Sequence, residues 1–159
     1  MVDIQTISIA IASASVVAGV IYYALQLRHQ NKIRQTDLIM RLYSHFGTKE
    51  IQEAYFTVRT MEFKDYNEFM KKYGAPSGPT IAQVGMLFNG IGILLQKKLV
   101  DIKLVNALFG GEVKLAWKTV EVIMDGRRKD LNEPKMYEGF EYLYNEIKKR
   151  EQQQASKTA

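Results

Sequence analysis

The 159-residue chain has no cysteine, three prolines and two histidines. Without a thiol there is no disulfide framework, no thiolate metal centre and no cysteine nucleophile. Imidazole is confined to His29 and His45, so a metal site would have to be built from carboxylates. Glu50 and Glu53 lie three apart, as do Glu62 and Asp65. Acids near helix starts ordinarily answer the helix dipole, and no histidine is spaced to join either pair. No serine stands in a nucleophile-elbow pattern. Gly85, Gly90 and Gly92 do not follow a strand and open a helix, so they imply no phosphate loop. These absences predict a non-enzymatic protein with no catalytic residues, no cofactor and no metal.

Charge is missing from one region altogether. The 24 residues Ile4–Leu27 carry none, and only Asp3 precedes them. The mean hydropathy of −0.19 conceals this run. As a helix it would be about 36 Å long, enough to cross a hydrocarbon layer of about 30 Å. No Lys or Arg precedes it, whereas Arg28, Lys32, Arg34 and Arg41 follow closely. The positive-inside rule then predicts a cell-membrane protein with an outside N-terminus and a cytoplasmic C-terminal domain. A cleaved signal peptide would carry its positive charge first, and Ala12-Ser13-Ala14 imitates a cleavage site without that layout. The sequence favours a retained anchor over a signal peptide or a buried helix. Arg28, Lys32 and Arg34 set the topology and would meet anionic headgroups, at about 1 kcal/mol per charge.

The anchor is only moderately apolar. Ile7, Ile9, Ile11, Val16, Val17, Val20, Ile21 and Leu25 favour insertion, at roughly −0.3 to −0.6 kcal/mol each. Ser8, Ala12, Ser15 and Gly19 are spaced four, three and four, which aligns them on one helical stripe. Small residues in a stripe let a second helix approach closely. The expected partners are therefore the lipid bilayer and other transmembrane helices, in a homo- or hetero-oligomer. The alternative is that small residues are merely tolerated in a lone span.

Beyond the anchor the pattern is helical throughout, so the fold class expected is all-α: one N-terminal transmembrane helix, then a compact multi-helix cytoplasmic bundle. The segments read as a short N-terminus 1–3, a transmembrane helix 4–27, a basic juxtamembrane stretch 28–35, a helical domain 36–151 and a disordered tail 152–159. The anchor helix either runs on to Phe46 or kinks near Gln30–Gln35. Gly47 stops it and Thr48 can cap the next helix, with Ile51, Ala54, Tyr55 and Val58 inward. A short helix over Lys64–Tyr73 would turn Tyr66, Phe69 and Met70 inward. Gly74–Pro79 reads as a loop.

Ile81–Leu95 is apolar on nearly every side but has only 15 residues, which suits a core helix better than a second span. Asp101 can cap a helix that Gly110-Gly111 would break. Val113, Trp117, Val120 and Met124 form the next stripe, ended by Gly126. Arg127, Arg128 and Lys129 then fall just past a helix end, facing its negative pole, and offer a surface contact. Pro134 is expected to open the last helix, with Met136, Phe140, Leu143 and Ile147 inward. A net charge of +5, with no basic helix interleaved with aromatics, argues against nucleic acid.

The segment Asn106–Gly111, then Trp117, and the closing Tyr137–Glu141 carry a resemblance. With the N-terminal run they resemble an uncharacterised family of small bacterial and archaeal proteins, a domain of unknown function. Its members look like one membrane helix followed by a cytosolic helical domain. The resemblance implies that architecture and supplies no activity or functional residue. The sequence thus predicts an accessory or scaffold subunit of a membrane assembly. The alternative is a membrane-tethered sensor or regulator whose domain binds a cytoplasmic protein or a small ligand, the latter among Met86, Phe88 and Trp117. An enzyme using carboxylates and His45 ranks last.

Overall fold

The computed structural model describes residues 3–158, leaving aside the side chains of Thr6, Lys157 and Thr158. Met1 and Val2 of the expected N-terminal segment, and Ala159 of the expected tail, lie outside the described residues. The helices are α1 (Ile4–Phe46), α2 (Lys49–Arg59), α3 (Tyr66–Lys72), α4 (Gly78–Gln96), α5 (Ile102–Asp130) and α6 (Glu138–Thr158). A single 3-10 turn, Ala75–Ser77, precedes α4. The architecture is all-α, with no strand among the described residues.

The chain divides into two compact units, residues 1–37 and 38–159, with the boundary inside α1. The first is helical from Ile4 onward and exposed along its described side chains, apart from the half-buried Gln35. Neither Gly19 nor the segment Gln30–Gln35 interrupts the helix, which runs on to Phe46.

The second unit is built around aromatic rings. Phe46, Tyr55, Phe88, Phe109, Trp117 and Phe140 are all buried. Phe88 and Trp117 each stand 5.0 Å, centroid to centroid, from Phe140, and Phe46 stands 5.3 Å from Tyr55. Edge-on and tilted pairs of this kind add about 0.5–1.5 kcal/mol beyond their buried area. α4 is the core helix: Ile81, Val84, Leu87, Phe88, Ile91 and Leu95 are buried along it. It packs on α2 and α6, while α5 packs on α2, α3 and α6.

Several local expectations needed correction. Gly110-Gly111 does not break α5, and Gly126 does not end it: one helix runs from Ile102 to Asp130. A glycine inside a helix costs about 1 kcal/mol in propensity, but here close packing offsets it. A Cβ on Gly110 would come within 2.5 Å of the Asn106 Oδ1, and one on Gly126 would overlap the Tyr66 ring. Pro134 lies in the turn before α6, not at its start. Asn132 and Tyr137 both take positive φ there (53° and 55°), so the chain reverses sharply before the helix can begin. In α3 Phe69 is the buried residue, while Met70 is exposed.

Thr48 stands at the head of α2 without capping it, because its hydroxyl donates to the His45 carbonyl instead (2.8 Å). Asp101 does cap, accepting from the Lys103 N–H at 2.6 Å. Gly74–Pro79 is shorter as a loop than expected, since α4 starts at Gly78. Finally, the segment expected to be a disordered tail continues α6 as helix to Thr158.

Candidate functional site

On α1 the expected packing residues Ser8, Ala12, Ser15 and Gly19 are all exposed. The hydroxyls are satisfied within the helix: Ser8 donates to the Ile4 carbonyl (3.0 Å) and Ser15 to that of Ile11 (2.9 Å). Such back-bonding removes the main cost of placing serine in hydrocarbon. No heavy atom would meet a Cβ on Gly19 within 4 Å. Arg28, Lys32 and Arg34 are exposed within the two turns that follow Leu27.

Arg127, Arg128 and Lys129 form the last turn of α5, not a segment beyond it. They do not act as one patch. Arg128 is only 16% exposed; its Nε donates to the Met136 carbonyl (3.0 Å) and its Nη2 to Glu141 (2.8 Å). Its Nη1 faces Asp125 at 3.6 Å. This arginine fastens the 131–137 turn between α5 and α6. Arg127 is half-buried, and Lys129 is exposed.

Met86, Phe88 and Trp117 are not brought together as a ligand site. Phe88 and Trp117 belong to the ring cluster around Phe140, whereas Met86 is 66% exposed. The carboxylate pairs are dispersed likewise. Glu50 accepts from the Gln83 amide (2.9 Å), Glu53 faces Lys49, and Asp65 caps α3. His45 is exposed, and no group of three or more His, Asp or Glu suited to a metal occurs among the described residues.

Sequence reasoning missed a groove of about 750 Å3 in the second unit. Its walls come from the end of α2 (Arg59), the connection Met61–Lys64, α3 (Glu68, Lys72) and α5 (Leu115, Lys118, Thr119, Val122). α3 is fixed to the far end of α5 by the Tyr66 hydroxyl, which donates to Asp130 (2.7 Å), and by the ring lying on Gly126. The groove opens between one and three turns back along α5. Glu68 is held by Lys72 (2.7 Å) and by the Lys64 N–H (2.8 Å). Those two bonds, Lys72 foremost, hold its carboxyl below the usual carboxylate range, and Glu68 in turn raises the Lys72 ammonium.

Fold and surface together define an all-α protein in which a long apolar N-terminal helix, a candidate membrane span, leads into a helical domain. The chain belongs to the family described as a domain of unknown function, DUF4760, which matches residues 11–147. The match starts inside the apolar run and ends within α6, so it takes in most of both parts. No curated protein and no solved structure matches the chain.

Proposed function

We propose that this chain is a non-catalytic, single-pass membrane protein that serves as an accessory or scaffold subunit of a membrane assembly. Its apolar helix stays in the cell membrane with the N-terminus outside, and its helical domain lies in the cytoplasm. The observation that carries this reading is the complete exposure of the apolar stretch of α1. Among the described residues, two stretches are long and apolar enough to span a bilayer. In Ala75–Gln96 (mean hydropathy 1.4) 44% of the apolar window is buried within the protein, but in Ile7–Phe46 (mean hydropathy 1.9) none of it is. Burying an aliphatic side chain is worth roughly 1.5–3 kcal/mol. Leaving Ile7, Ile9, Ile11, Val16, Val17, Val20, Ile21 and Leu25 in water would forfeit on the order of 10 kcal/mol, as much as the whole stability of many domains. Lipid or another helix removes that cost.

Orientation follows from Arg28, Lys32 and Arg34 on the C-terminal flank. Lateral packing uses Ser8, Ala12, Ser15 and Gly19, whose small side chains leave room for a neighbouring backbone. The serine hydroxyls are already paired, so dispersion at close range supplies the attraction. Joint replacement of Ser15 and Gly19 by leucine should release the partners from a gentle-detergent pull-down while the protein stays in the membrane. An unchanged partner list would contradict packing through this face.

A further inference from the structure

We infer that the groove between Arg59, Phe63 and Lys118 binds a soluble organic anion that carries an apolar group. The inference stands on the unit 38–159 alone and does not depend on the membrane reading. Three features support it. The first is size: about 750 Å3 falls within the ordinary range for small-molecule clefts. The second is the chemistry of the floor. Phe63 and Val122 are half-buried and Leu115 is 46% exposed, so an apolar surface remains uncovered. The third is unbalanced charge. Four cations line the groove, Arg59, Lys64, Lys72 and Lys118, against Glu62 and Glu68. Lys72 and Glu68 neutralise each other. The side chains of Arg59, Lys64 and Lys118 enter no ion pair among the described residues, and the Arg59 guanidinium rests 5.9 Å from the Tyr55 and Phe56 ring centroids.

Cations gathered over an apolar floor select a ligand with both parts. The anion replaces the missing carboxylates, and the body covers Leu115 and Phe63. Inorganic phosphate supplies only the first part, and a neutral hydrocarbon only the second. Lys118 sits midway along a helix, and the two bonds that Glu68 accepts brace the opposite wall, so binding orders side chains rather than backbone.

The test is titration of the full chain, in nanodiscs of phosphatidylcholine, with 1-naphthyl phosphate by calorimetry. The expected result is saturable binding, weakened about fivefold or more by Lys118→Ala, a charge-assisted contact. Leu115→Glu should weaken it as well, while helix content by circular dichroism stays unchanged. Lys103→Ala, on the same helix but about 22 Å away by helical rise, should leave it unaltered. No saturation at millimolar ligand would overturn the inference. So would equal losses from Lys118→Ala and Lys103→Ala, or inorganic phosphate binding as tightly as the naphthyl ester. Discs containing phosphatidylglycerol should give the same affinity; a loss there would assign the groove to a lipid headgroup and overturn the soluble ligand.

Discussion

Gly90 and Gly92 lie two residues apart on α4, and replacing each with alanine should move stability in opposite directions. A Cβ on Gly90 meets nothing within 4 Å. Alanine there should gain the helix-propensity difference, about 0.5–1 kcal/mol. A Cβ on Gly92 would overlap the backbone carbonyl of Gly139 at the start of α6. Backbone cannot rotate away as a side chain would, so α4 and α6 must part by more than an ångström. That movement opens the Phe88–Phe140 and Trp117–Phe140 contacts, both at 5.0 Å. Overpacking of this kind costs about 1–3 kcal/mol and sometimes more. With the loss of several ring contacts it should exceed the propensity gain, for a net destabilisation of about 2 kcal/mol. Trp117 is the only tryptophan and lies in that ring cluster, so urea unfolding followed by its fluorescence reports the pair directly. The full chain in mild micelles is the appropriate sample. Equal effects from the two substitutions, or a stabilising Gly92→Ala, would refute the close crossing of α4 and α6.

Other substitutions probe the same framework. Asn89 Oδ1 accepts from the Gly139 N–H at 3.0 Å, giving α6 a cap borrowed from α4; Asn89→Ala should cost about 1–2 kcal/mol in the same unfolding assay. Arg128→Ala should cost about 2 kcal/mol, because it leaves the Met136 carbonyl and Glu141 without their donor. Alkaline pH should also destabilise the protein. Burial, reinforced by Glu112, lifts the Tyr55 hydroxyl well above its ordinary value, and burial lifts Tyr66 and Tyr137 too. The unfolded chain therefore loses these protons first, near pH 10. Stability is fully present below that pH and falls as pH rises through the folded values. Tyr55→Phe should make the fall above pH 10 shallower; an unaltered slope in pH-dependent urea midpoints would count against this origin.

The best-read apolar stripes were legible because each lay on one helix. Val113, Trp117, Val120 and Met124 were read from their spacing and are all buried; so are Ile51, Ala54, Tyr55 and Val58. The core role of α4 followed from its length and its apolar circumference. What the sequence obscured was set between helices. Gly126 looks like a helix end until the Tyr66 ring of α3 is seen filling the space a side chain would need. Pro134 looks like a helix start until the positive φ values of Asn132 and Tyr137 reveal a reversal around it. Arg128 reads as a surface cation, yet its partners Met136 and Glu141 belong to the turn and helix that fold back on it. The groove draws on α2, α3, α5 and the 61–64 connection, and no local pattern unites those residues.

The central claim is that Ile4–Leu27 resides uncleaved in a lipid bilayer. Alkaline carbonate extraction of cells expressing the chain with a C-terminal tag addresses it most directly. The account predicts that the protein remains in the membrane pellet at the full 18.2 kDa of the chain plus the mass of its tag. Recovery in the soluble fraction, or a shortened species lacking the N-terminal helix, would contradict it.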